Sequence, residues 1–211
     1  FSMAEECIRD VTAPPRAAWL RALLLERERI ANHLGDLGAL GNDAGFGVGL
    51  AQFMRLKEDL MRVNASVLGA RYPMDAVVAG GVARDIDAAG RELLLAHGAA
   101  FARELDALRA IYDEHAGMQD RFIDCGCVST ALARQLGLTG LAARASGLPH
   151  DLRCDLPVAP YDVVGVTRAA DTGGDVAARV AVRFDETAES LRICRELLDA
   201  RHVRLCDLVL R

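Results

Sequence analysis

The densest polar cluster in the chain is Glu26-Arg27-Glu28-Arg29-Ile30-Ala31-Asn32-His33, set within an otherwise apolar stretch. Glu26, Arg29 and His33 follow one another at three- and four-residue steps. On a helix they share a face, so a carboxylate, a guanidinium and an imidazole can form one hydrogen-bonded line able to hold or pass a proton. The same spacing equally describes a solvated ion-pair face carrying a surface histidine. Asp43 lies in the glycine-rich stretch that follows, where a carboxylate can line a cavity, accept a proton or close a turn. Cys125 and Cys127 flank Gly126. In an extended segment both thiols project to one side and can meet a metal, but a one-residue gap is too tight for a zinc or iron-sulfur knuckle, and free cysteine otherwise behaves as a small core hydrophobe. The loop Ser146-Gly147-Leu148-Pro149-His150-Asp151-Leu152-Arg153 brings together groups that could hydrolyse or bind an ion. It lacks a Gly-x-Ser-x-Gly elbow and a phosphate loop, and no oxyanion donor is identifiable, which weighs against a stand-alone hydrolase.

These groups need helices to position them. From Ala17 to Leu40 the residues Leu20, Leu23, Leu24, Ile30, Leu34 and Leu37 recur every three or four positions, which predicts an amphipathic helix. Gly35, Gly38 and Gly41 weaken its far end, so the stretch from Gly41 to Gly49 either breaks the helix or packs closely on a neighbour. A second helix is predicted over about Leu50 to Ala70, and Pro73 with Gly80-Gly81 marks a loop. Asp85 or Asp87 then caps a long helix running towards His115. Glycines and prolines break the region from Gly117 to Pro160 into brief helices among loops, a place where function tends to collect. Strand-like alternation is confined to Tyr161 to Val166. Helical spacing returns from Val176 to about Ala200. The expected fold class is therefore mainly α, a multi-helix bundle core with short irregular or β segments in a single domain.

The 211 residues are 52 % hydrophobic and 26 % charged with a net charge of −5, enough apolar surface for a packed core. No basic block is interleaved with aromatics, which excludes a nucleic-acid partner. Lys57 is the single lysine among 25 basic residues. Arginine suits planar, partly buried ion pairs between helices. Six scattered cysteines read as reduced thiols in a cytosolic setting. Neither a signal peptide nor a run of about 18 uncharged apolar residues occurs. The chain opens on Phe1, as expected of a piece of something longer, and an isolated piece with exposed apolar surface is expected to pair with itself.

Pro14-Pro15-Arg16, Trp19-Leu20-Arg21, Glu26, Arg29, Asn32-His33, Asp43, Glu58, Gly69-Ala70-Arg71 and Gly80-Gly81-Val82 resemble, in order and spacing, the large subunit shared by group 4 membrane-bound nickel-iron hydrogenases and respiratory complex I, there the 49-kDa subunit. Asp120-Arg121-Phe122, Asp124, Gly126, Ser146-Gly147, Asp151-Leu152-Arg153, Pro160-Tyr161-Asp162, Gly174-Asp175, Arg179, Arg183 and Ser190-Leu191 continue the likeness through the second half. The run Glu26 to Gly41 is similar to the hydrogenase-3 type.

The resemblance implies a nickel-iron hydrogenase large-subunit-like bundle with a buried cavity. It also implies a place on the cytoplasmic side of the membrane, beside membrane subunits and a small iron-sulfur subunit. In hydrogenase members the cavity holds a nickel-iron centre on four cysteines; in complex I relatives it receives a quinone headgroup. By position, Asp43 resembles the aspartate that supports the quinone-binding histidine, and Glu26, Arg29, His33 and Glu58 match polar positions around the cavity. Glu26, His33 and Asp43 are thus the expected proton-handling residues, and Arg29 and Glu58 the expected cofactor-side residues. No metal ligand is expected here, because the sequence contains no Cys-x-x-Cys pair. Cys125 and Cys127 replace aliphatic residues of the relatives, which implies core thiols. Val78-Ala79 stand before Gly80 where complex I relatives carry an arginine. The leading expectation is a hydrogenase-3-like oxidoreductase subunit, inactive by itself. The alternatives are a quinone-site subunit of an NADH:quinone oxidoreductase and a metal-free scaffold.

Overall fold

A computed structural model describes residues 1–199. The element order is α1 (Ser2–Arg9), α2 (Pro15–Asp43), α3 (Gly47–Leu68), β1 (Val77–Val78), β2 (Gly81–Val82), α4 (Ala88–Glu114), α5 (Ala116–Phe122), α6 (Thr130–Leu136), α7 (Gly140–Ala145), α8 (Leu152–Asp155), α9 (Tyr161–Val164) and α10 (Val176–Leu197). The fold is mainly α, as the periodicity predicts, with one two-stranded antiparallel hairpin pairing Val77 with Val82 and Val78 with Gly81. The helix ends follow local chemistry. Pro15 opens α2 at a position where a missing N–H costs nothing. Asp87 caps α4 by accepting from the Gly90 N–H at 2.7 Å, and Asp175 caps α10 by accepting from the Ala178 N–H at 2.8 Å. Asp85, the other candidate cap, pairs with Arg16 instead.

α2 is the central element, packed along α3 on one side and α10 on the other, with α4 against both neighbours. Leu23, Ile30, Leu34 and Leu37 of α2 join Phe53 and Leu60 of α3, Phe101 and Tyr112 of α4, and Phe184 and Ile193 of α10 in one buried cluster. The Tyr112 ring meets Phe53 edge-on at 5.4 Å and Phe184 at 5.6 Å.

The glycine stretch does not end α2 at Leu40. The helix continues to Asp43 because its glycines allow close approach: a Cβ on Gly38 would lie 3.2 Å from the Phe53 side chain, and one on Gly41 2.1 Å from the Tyr112 hydroxyl. That hydroxyl donates to the Leu37 carbonyl at 2.8 Å. Gly41→Ala is expected to cost about 1–3 kcal/mol through overpacking. Tyr112→Phe, costing about 1 kcal/mol alone, should relieve part of that cost, so a double-mutant cycle read by urea unfolding must be non-additive.

Tyr161 to Val166 is not a strand. Its backbone bonds locally, Val164 N–H to the Pro160 carbonyl and Gly165 N–H to the Tyr161 carbonyl, both at 3.0 Å. Tyr161 is drawn inward by its hydroxyl, and alternation without a neighbouring edge cannot make a sheet. The Gly80-Gly81 loop is a small hairpin clamped by α1 and α2. Arg21 donates to the carbonyls of Val78 at 2.7 Å and Gly81 at 2.9 Å and pairs with Glu6, which accepts from the Gly80 N–H at 2.7 Å. The guanidinium at this hairpin therefore comes from α2 and not from the residue before Gly80. The last helix is described to Leu197, and the expected end at Ala200 lies outside the described residues, as does Cys206.

Candidate functional site: a buried ionic seam

Burying carboxylates, guanidiniums and an imidazole between helices is costly unless each finds partners. Along the α2–α10 contact every buried carboxylate does. Glu26 is 0 % exposed. Its Oε2 accepts from Arg153 Nη1 at 2.9 Å and from the Ser190 hydroxyl at 2.6 Å, and its Oε1 accepts from the Tyr161 hydroxyl at 2.7 Å. Arg29 approaches the same carboxylate at 3.5 Å. Arg153 also forks onto Asp151, Nε to Oδ1 at 3.0 Å and Nη2 to Oδ2 at 2.6 Å. Two guanidiniums and two carboxylates therefore balance one another, Arg29 alone of the four reaching partly into water.

Two turns further along α2, His33 Nε2 lies 2.8 Å from Glu186 Oε2, and Arg144 pairs with the other oxygen of Glu186. A carboxylate only accepts, so Nε2 carries the imidazole proton. Arg144 donates further to the His150 carbonyl at 3.2 Å. Glu186 and Ser190 stand four residues apart on α10, opposite His33 and Glu26 on α2. The seam is an antiparallel register of polar pairs inside an apolar interface.

Electrostatics follow the pairing. For Glu186, burial favours the neutral acid, but the bonds and charges of His33 and Arg144 outweigh it and hold the carboxyl below its ordinary value. Asp151 behaves likewise, burial being overcome by Arg153. Burial opposes the Arg153 cation, and Asp151 with Glu26 reverses that and raises its pKa. Tyr161 is raised, by burial first and then by the Glu26 charge, so its phenol stays a donor. Among the described residues two buried side-chain polar atoms have no hydrogen-bond partner, Arg29 Nε and Ser146 Oγ.

The residues singled out in the sequence separate into two groups. Glu26, Arg29 and His33 share the seam, though they do not form one line; the imidazole turns to Glu186 rather than to Glu26. Asp43 stands exposed at the C-terminal end of α2, away from the seam. Glu58 sits half-buried on α3 and is held by Arg62 at 2.9 Å and Arg71 at 2.8 Å. Those two arginines pull its pKa down to about 2, Arg71 contributing most. Because this network is open to water, Glu58→Gln is expected to leave the melting temperature unchanged.

Cys125 and Cys127 are exposed rather than core thiols, because both lie in the segment between α5 and α6 that runs past the start of α10 instead of packing inward. Cys127 comes near Asp124 and Asp175, all within 4.8 Å. Asp175 is already committed, accepting from Ala178 and from the Asp124 N–H at 2.9 Å. A thiol with two carboxylates is not a nickel-iron donor set, so no step through such a centre follows from this chain. In the other loop His150 faces Asp155 at 3.8 Å while Asp151 binds Arg153, and neither orients the other for hydrolysis. Arg153, Tyr161 and Ser190 stood within the family-like runs without an assigned role. Glu186 and Arg144 carried no signal beyond the four-residue spacing of Glu186 from Ser190.

A helical bundle stitched by a buried ionic seam defines the class, and the comparisons supply the family. The family profile described as respiratory-chain NADH dehydrogenase, 49 Kd subunit, matches residues 43–204. The chain belongs to this family. It is 34 % identical over 95 % of its length to an NADH-quinone oxidoreductase subunit of Acidiphilium cryptum, covering 49 % of that protein. It is 31 % identical over 94 % of its length to a carbon monoxide-induced hydrogenase of Rhodospirillum rubrum, covering 55 % of it. Against the NADH-ubiquinone oxidoreductase 49 kDa subunit of Cafeteria roenbergensis it is 32 % identical over 92 % of its length, covering 48 % of that chain. The chain thus spans about half the length of the curated relatives it matches. Among the described residues no helix is long and apolar enough to cross a membrane.

Proposed function

We propose that this chain is the central helical region of the large subunit of a membrane-associated, multi-subunit oxidoreductase of the NADH-quinone type. It would sit at the inner face of the membrane through partner subunits, a small iron-sulfur subunit among them. The observation that supports this reading is the seam: Glu26 and His33, buried on the central helix, pair with Arg153, Tyr161, Glu186 and Ser190 from the matched residues 43–204. In that role Arg153, Tyr161 and Ser190 fix the Glu26 carboxylate, and Glu186 with Arg144 fixes the His33 ring. The seam would thereby hold the Glu26 carboxylate as an acceptor and the His33 ring with its proton on Nε2, towards Glu186. Hydrogenase-3-like hydrogen turnover, the first expectation from the Glu26 to Gly41 run, becomes the second reading, favoured by the likeness to the carbon monoxide-induced hydrogenase. Similarity to the NADH-quinone oxidoreductase proteins is at least as high, which removes the reason for placing it first.

The test is purification of the intact complex through a tag on this polypeptide, followed by paired assays. Quinone-dependent NADH oxidation without nickel is the expected result. Hydrogen-driven viologen reduction with about one nickel per complex, as a thiolate-held centre requires, would replace it with the second reading. A complex that assembles but shows neither activity would leave a scaffold.

A further inference from the structure

Between α2, α4 and α10 runs a groove of about 310 Å³, within the lower range of small-molecule sites. Ile30, Leu94, Leu105 and Leu191 give it apolar walls, and Arg27 forms part of its lining. Arg27 is only 4 % exposed. Its Nε donates to Asn64 Oδ1 at 2.6 Å and its Nη2 to the Leu60 carbonyl at 3.4 Å, both neutral acceptors. The other two buried arginines behave differently: Arg144 has Glu186, and Arg153 has Asp151 and Glu26. Among the described residues no carboxylate pairs with Arg27.

The groups around it do not neutralise it. Burial pushes the Cys194 thiol up to about 12, so it supplies no thiolate. His97 is held below its ordinary value, by burial first and then by Arg27 itself. Asp106 is exposed. Arg192 is taken by Glu189, and Arg195 approaches Glu196 at 3.8 Å. Asp59 and Glu104, which act on His97 from α3 and α4, are bound by Arg55. A desolvated cation facing an apolar groove without a counterion is costly, and an anion brought to it removes that cost.

We propose that this groove is a binding site for an aliphatic carboxylate, with the anionic head on the Arg27 guanidinium and the hydrocarbon tail along Ile30, Leu94, Leu105 and Leu191. A neutral alcohol of the same length fills the groove but leaves the guanidinium uncompensated, and a quaternary ammonium is repelled by it. Head-group charge therefore decides affinity.

Equilibrium dialysis of the whole protein against decanoate, decan-1-ol and decyltrimethylammonium, each below its aggregation threshold, tests this. One decanoate per chain is expected, at least tenfold tighter than decanol and with no measurable ammonium binding. Arg27→Gln should weaken decanoate tenfold or more and leave decanol within twofold, while Arg27→Lys retains more affinity than the glutamine variant. Gly98→Phe is a second probe, because a Cβ at Gly98 meets open space within the groove. It should weaken decanoate and decanol together without unfolding the chain. Equal affinity for decanoate and decanol in the wild type overturns the proposal, as does decanoate binding unchanged by Arg27→Gln. No decanoate binding at all overturns it too.

Discussion

Glu26→Ala lowers the unfolding free energy by about 3–5 kcal/mol, a fall of roughly 10 °C in melting temperature for a chain of this size. The substitution removes the acceptor of three buried donors at once. Arg153 keeps only Asp151, and the hydroxyls of Tyr161 and Ser190 are left in the core without an acceptor. Ser190→Ala alone, which removes one donor and leaves the carboxylate paired, costs about 1 kcal/mol. Urea unfolding of the three proteins checks the ranking, and an alanine variant melting within 2 °C of the wild type, against the roughly 10 °C expected, would mean Glu26 is solvated. A second variant separates glue from function. Glu26→Gln keeps the volume and an acceptor oxygen for the buried hydroxyls, so it destabilises less than alanine, while electron-transfer activity of the complex falls as far as in the alanine variant if Glu26 handles protons.

Glu186→Gln destabilises by about 3 kcal/mol at neutral pH, because Arg144 loses its buried counter-charge and His33 its ionic acceptor. The pH dependence identifies the cause. The folded-state pKa of Glu186 lies below its ordinary 4.5. Its ionised form therefore contributes stability that is fully present above 4.5 and is lost as pH falls through the lower folded value. Asp151 titrates in the same direction from 3.8. Melting curves from pH 7 to pH 3 should show wild type and variant far apart at the top, converging below 4.5 as the wild-type carboxyl protonates. A gap independent of pH would assign the loss to packing rather than charge.

How much of this was legible in the sequence differs by element. The long helices were, because α2, α3, α4 and α10 carry a 3.6-residue apolar period over many turns and Asp87 announces its cap. At the far end of α2 the sequence leaves two outcomes open, a break or close packing, and the structure takes the second: the missing Cβ atoms admit Phe53 and the Tyr112 hydroxyl from distant segments, which local sequence alone could not decide. Tyr161 to Val166 alternates like a strand, but pairing depends on a neighbour that sequence does not supply. Within the site, Glu26, Arg29 and His33 were visible as one helical face. Their partners were not, because Arg144, Arg153, Tyr161, Glu186 and Ser190 converge only through tertiary folding. Asp43 and Glu58 share the residue types of a site but end on the water side of their helices, a distinction that spacing cannot make.

The seam's sequence separations set a schedule for synthesis. Glu26 waits 127 residues for Arg153 and 164 residues for Ser190. While the ribosome is still making α4, the paired α2 and α3 hold a carboxylate and an imidazole with nothing to face. At about 5–20 residues per second, that exposure lasts on the order of ten seconds or more. A chaperone or another protein of the complex arriving in this interval would meet the nascent hairpin with its charged side open, and docking of α10 would be the event that closes it.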